Sequence, residues 1–283
     1  MALHQHLLGY ALVYSALTFP ASSQTPATVA GQGTSSASQT ADEALARVDR
    51  DDVGAGPVDA MSYAVQAAKA GPERAIPVLE RFYSRHQNDP AKDGLEPLRD
   101  DIASLLVQLG DNNPIYWNLL VSEATAALNS EIPPPNLQKN AATYADTYSP
   151  EQLTWAKQHG MTTDEMFLAG MYTLPAKFAP LAKSGDPRAL PLLRQALQSD
   201  NHMIKLLGAA GLAVLRDTAS VPLIIDACRR DGELGSEFAD TLMFFHDPKA
   251  DEVFKEYFPD VNIQEARRFR GDNPFCCTIH RQQ

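Results

Sequence analysis

The chain has 283 residues, 44% of them hydrophobic and 21% charged, which excludes a disordered polymer and is enough for one large domain or a repeat array with a continuous core. Aspartate and glutamate outnumber lysine and arginine by 35 to 24, a formal net charge of -11, so the average surface repels phosphates and nucleic acid is excluded as the expected partner. Three cysteines, Cys228, Cys276 and Cys277, are too few for a disulfide framework, and stability has to come from packing.

Taken in chain order, residues 7–19 (LLGYALVYSALTF) form an apolar run of signal-peptide length, shorter than a bilayer span, with Ala21 and Ser23 placed for cleavage before Gln24. The preceding MALHQH lacks lysine and arginine, so its positive charge comes from the amino terminus, helped by His4 and His6. The expectation is a signal peptide over 1–23 and export to a periplasmic or secreted location, with no membrane span once it is removed. Residues 24–41 are rich in Ser, Thr, Ala, Gly and Gln and offer nothing to fill a core, so they read as a disordered linker.

An N-terminal helical region follows over 42–129. Within it Leu98, Ile102, Leu105, Leu106 and Leu109 fall at spacings of three and four, one stripe of a helix. Residues 130–149 carry Pro133, Pro134 and Pro135, which favour an extended backbone; they read as a hinge between two helical lobes or as a long loop. From 150 to 270 the helical punctuation is dense. Ser149, Pro150 and Gln152 supply an N-cap, a proline at the first helical position and a capping-box partner, and His159-Gly160 closes that helix. Thr162 and Glu165 open the next in the same way, and Ile204, Leu207, Gly208, Gly211, Val214 and Leu215 make a second stripe, with glycines where a neighbour can approach closely. Alternating strand-like runs are scarce, and the chain is expected to be all-α. Residues 271–283 read as an irregular tail.

A stretch of this region recurs. Asp186-Pro187-Arg188-Ala189-Leu190-Pro191-Leu192-Leu193 is echoed by Asp217 to Ile224, with Pro222 in the place of Pro191, and again by Asp247-Pro248-Lys249-Ala250 with Val253 and Phe254. Two helices and a turn every thirty-odd residues mark a solenoid, in which no unit buries its apolar face until its neighbours stack on it. Each aspartate is expected to cap its helix, with the proline in the first turn or just beyond it, where a lost donor costs least.

These units resemble HEAT repeats of the short kind first described in phycobilin lyases: residues 185–193 carry nearly the whole Gly-Asp-Pro-Arg-Ala-apolar-Pro-Leu-Leu string, and Leu212, Leu215 and Asp217 keep the junction. Lys205 stands where that family usually has arginine, and Asp251 and Glu252 replace the aliphatic and the proline in the third unit. Residues 71–83 (GPERAIPVLERFY) are a weaker echo. The resemblance implies an α-solenoid of HEAT-like hairpins, an α-α superhelix, whose function is protein or peptide recognition on a face built from successive second helices. On that reading Arg188, Lys205, Phe244, Phe245 and His246 are the candidate binding residues.

Catalytic chemistry finds little footing. The HEAT di-iron hydroxylases hold metal on His-Glu dipeptides, and this chain has none. His86, His159, His202, His246 and His280 lie in separate segments without ligand-pair spacing, and read as surface or turn residues. Asp49, Asp51 and Gly54 match three positions of a calcium loop, but Val53 and Ala60 occupy positions that need carboxylates. Cys276, Cys277 and His280 are the densest soft-ligand cluster, in a segment that reads as a frayed tail; Cys228 reads as a buried thiol, against a pairing with a tail cysteine. The arginines of RRFRGD (267–272) are expected to answer the negative end of the last helix. No catalytic residue, metal site or cofactor is therefore assigned. A hydrolase or lyase with its site in a groove between helical lobes near 130–180 is the alternative to the scaffold, and a structural envelope protein is a third reading. The sequence does not set the oligomeric state.

Overall fold

The computed structural model describes residues 33–54, 56–89, 98–139, 141–271 and 273–275. The expected signal peptide and the Cys276, Cys277 and His280 cluster lie outside the described residues. The described residues are helical and contain no strand. In chain order the helices are α1 (Gly33–Arg50), α2 (Pro57–Ala68), α3 (Pro72–His86), α4 (Leu98–Gln108), α5 (Pro114–Leu128), α6 (Pro150–Gln158), α7 (Thr163–Leu168), α8 (Leu174–Lys183), α9 (Leu190–Ala196), α10 (His202–Val214), α11 (Val221–Arg230), α12 (Gly235–Leu242), α13 (Pro248–Tyr257) and α14 (Ile263–Arg270). α1 begins at Gly33, inside the stretch whose composition reads as a linker: Ala44 and Val48 bury a helical stripe, and short polar residues upstream tolerate the helical backbone once it is nucleated.

These helices form two layers of a solenoid. The second helices of the hairpins, α2, α4, α8, α10 and α12, contact one another in that order, and the first helices, α1, α3, α5, α9, α11 and α13, lie against them. One apolar core runs through the array, from Ala44 to Ile263. α1 and α3 run parallel, one repeat apart: Arg74 pairs with Asp42 at 2.7 Å and Arg81 with Asp49 at 2.7 Å. Tyr83 and Tyr116 meet edge to face between α3 and α5, with ring centroids 4.9 Å apart.

The repeat junctions follow the sequence signals, with one exception. Asp186 accepts the Arg188 N–H at 2.8 Å, and Asp247 accepts those of Lys249 and Ala250. A short 3-10 turn separates Asp186 from α9, so Pro191 falls in the first turn of the α-helix, where no intrahelical donor is lost. Asp217 does not cap. Its carboxylate instead takes two hydrogen bonds from Arg194 on α9, at 2.8 and 2.9 Å, and one from the Ser220 hydroxyl, tying one repeat to the next.

Residues 129–173 are an insertion within one hairpin, because α5 and α8 pack directly against each other across it. The Pro133–Pro135 stretch therefore lies in a long connection across which α5 and α8 pack together. The insertion has a small core of its own, with Tyr148, Ala156, Met166, Phe167 and Met171 buried together. Both capping boxes form, on Ser149 with Gln152 and on Thr162 with Glu165. A turn of π-helix over Ala169–Thr173 joins α7 to α8; the Gly170 carbonyl accepts from the Asn201 side chain, and Pro135 lies against Gly170.

Close helix approach depends on small residues. A Cβ added at Gly208 would sit 2.6 Å from the Cβ of Ala196, and one at Gly235 would sit 2.0 Å from the Cys228 carbonyl oxygen. Gly235→Ala is expected to lower unfolding free energy by about 2–3 kcal/mol and Gly208→Ala by about 1–2 kcal/mol. Gly56→Ala, where nothing lies within 4 Å, should stay within about 0.5 kcal/mol of the parent. Urea denaturation of the three variants checks the order.

Candidate functional site

An exposed arginine lies over a half-buried tryptophan where α5 meets the turn before α9. Arg188 is exposed, and its guanidinium carbon lies 4.2 Å from the centre of the Trp117 ring. The same guanidinium makes a bidentate pair with Asp186, Nη2 to Oδ2 at 2.6 Å and Nε to Oδ1 at 3.0 Å. Asp186 thus acts twice, capping the turn and holding the arginine, and Arg188 holds its carboxyl below the usual carboxylate range. Ile115, on the same helix as Trp117, is 58% exposed. The arrangement is a rigid cation on an aromatic face, and its order costs a bound partner little conformational entropy; Ile115, two residues from Trp117 on the helix, lies on a different face.

Lys205 lies elsewhere, half-buried on α10, with its Nζ 3.5 Å from Asp231. His202 one turn earlier sits between Asp231, 3.8 Å from Nδ1, and Glu237, 3.2 Å from Nε2. Gln138 of the insertion donates to the Asp231 carbonyl at 2.8 Å. The lysine therefore serves an internal polar junction between α10, the α11–α12 turn and the insertion, and is not a free cation on an open face.

Phe244 and Phe245 correct the sequence reading: they are 3% and 2% exposed and belong to the core. The chain folds back as α14 over them. Arg270 and Asp240 form a buried pair at 2.6 Å, with side chains 2% and 6% exposed, and the Arg270 guanidinium lies over the Phe244 ring. Arg267 donates to the Met243 carbonyl and pairs with Asp251. These arginines answer carboxylates of the preceding repeats and not the end of their own helix. His246 is exposed in a left-handed conformation that ends the Met243–Phe245 turn.

The second helices do not form a broad display. α4 and α8 are buried almost all round, with each packed between helices of both layers. They are joined by polar contacts: Ser104 Oγ donates to the Pro180 carbonyl at 2.8 Å and Gln108 Nε2 to the Lys183 carbonyl at 2.8 Å. Lys183 and Asp101, 3.9 Å apart, border a cavity of about 20 Å³ with Ser104 and Gln108, room for a single water molecule. Burial holds the Lys183 ammonium below its ordinary pKa. Cys228 is a buried free thiol, pushed up to about 12 by burial. Among the described residues no group of three or more His, Cys, Asp or Glu side chains has the arrangement to hold a metal ion.

Residues 181–199, the end of α8, the Asp186 turn and α9, match the family model of the PBS lyase HEAT-like repeat. The match covers one repeat unit, and the described residues as a whole form a helical solenoid consistent with repeats of this kind. No curated protein and no solved structure matches it. In HEAT-like terms Arg188 is the arginine of the repeat's turn, and the structure places it on the ring of Trp117, which lies in the preceding hairpin beyond the matched segment. Sequence reasoning missed Trp117 because no periodic signal links α5 to α9 across the insertion.

Asp100, 1% exposed in the first turn of α4, is raised to about 6; burial outweighs the Arg99 guanidinium, which donates to its Oδ1 at 3.0 Å. The native state therefore holds a proton that the unfolded chain releases near pH 4, and this group's contribution to stability falls as pH rises from about 4 through about 6. Asp100→Asn removes that dependence. The difference in unfolding free energy between about pH 4.5 and pH 7.5 should shift by about 2 kcal/mol relative to the parent, in favour of the variant at the higher pH, as read by urea denaturation.

Proposed function

We propose that this HEAT-like scaffold is exported and recognises a protein or peptide partner, using the Arg188 and Trp117 surface. The single observation that supports the reading is the clamped Arg188–Trp117 pair at a repeat junction. Tryptophan and arginine dominate the energetics of protein interfaces, and pre-ordering lowers the cost of docking. Residues 7–19 support export, as an apolar run followed by small residues at the cleavage positions. No helix among the described residues is long and apolar enough to cross a membrane.

A photo-crosslinking amino acid at Pro187, the exposed neighbour of Arg188, in the full chain expressed with its N-terminus, tests both parts. The expected result is a protein adduct formed in the exported fraction, reduced about tenfold or more by Trp117→Ala or Arg188→Ala. An adduct that both variants leave unchanged, or the absence of any protein adduct, sinks the binding surface. Retention of the uncleaved chain in the cytoplasm sinks export.

A further inference from the structure

His86 closes the last turn of α3 with carboxylates at both ring nitrogens. Nε2 is 2.8 Å from Asp51, the residue just after α1, and Nδ1 is 2.8 Å from Asp89. A neutral imidazole carries one N–H and satisfies one acceptor, whereas the imidazolium donates to both. The geometry therefore requires the charged ring. The other charged groups near it belong to arginine–carboxylate contacts between the same helices. From α3, Arg85 lies 3.9 Å from Asp51 and donates to the Val48 carbonyl, and Arg81 holds Asp49; the edge of Phe82 packs on the ring at 4.5 Å.

We propose that His86 is a proton-operated clasp between α3 and the C-terminal end of α1, so that docking of the first helix onto the solenoid tightens as pH falls and loosens as it rises. Burial opposes the charge, but the hydrogen bonds that the ring donates to Asp89 and Asp51 outweigh it, and the His86 pKa lies above its ordinary value. A group whose pKa is raised on docking contributes fully below its undocked value and loses that contribution as pH passes its docked value. The pairs Arg74–Asp42 and Arg81–Asp49 join the same two helices independently of His86. Loosening α1 releases the arginines of α3, Arg74, Arg81 and Arg85, from their carboxylate partners Asp42, Asp49 and Asp51.

The test is amide hydrogen exchange of residues 42–50 in the full chain, as protection factors from about pH 5.5 to about pH 9, with the His86 ring titrated by nitrogen-15 shifts. Protection should fall about fivefold as His86 deprotonates, and His86→Gln should abolish the fall. Asp89→Asn keeps the Asp51 bond and should move the midpoint to lower pH, which separates the clasp from a general loss of fold. The proposal is overturned if the ring titrates below about 6.5, if protection is flat with pH, or if His86→Gln keeps the parent's slope.

Discussion

The contact between α5 and α8 is the constraint on which the architecture depends. A helical hairpin of this size cannot bury its own apolar face, so each unit is stable only between neighbours, and a break at one hairpin would divide the core. Here the two helices of one hairpin are separated by the insertion of residues 129–173, yet they pack as closely as hairpins joined by short turns. The core therefore passes from the N-terminal repeats into those that begin at Asp186 without interruption. Loop closure rises only slowly with length, which is why a long insertion is tolerated once both helices have a face to bury.

The insertion is anchored as well as self-packed. Its own aromatic and methionine core sits beside Met203 at the start of α10, and Asn201 and Asp231 of the solenoid take hydrogen bonds with Gly170 and Gln138. The π-turn at Ala169–Thr173 follows from this geometry, since an extra residue in the helical path directs the Gly170 carbonyl toward Asn201. The polar junction of Lys205, His202, Asp231 and Glu237 lies under the same contact, and its charges are largely spent inside the fold.

Charge does different work along the array. Near the N-terminus a row of carboxylates on and just beyond α1 meets a row of basic groups on α3, and exposed pairs of this kind contribute little individually. At the C-terminus the Arg270–Asp240 pair is buried and closes α14 over Phe244. Between them the Asp186–Arg188–Trp117 arrangement faces solvent, ordered by the turn that defines the repeat. A terminal seal, an N-terminal clasp and a central exposed pair are thus three uses of similar side chains, set apart by burial.

By itself the sequence determined the helical class, the repeat spacing, the two capping boxes and the close approach at Gly208, because these rest on local backbone chemistry and on periods of three to four residues. The Asp186 and Asp247 caps were legible for the same reason, and Cys228 was read correctly as a buried thiol. Tertiary structure alone decided which carboxylate caps and which is taken by another repeat, as Asp217 is by Arg194, and that Phe244 and Phe245 turn inward beneath α14. It alone placed Trp117 under Arg188 and Asp51 against His86, since partners separated by dozens of residues meet through the stacking of whole helices, and no local pattern along the chain encodes that meeting.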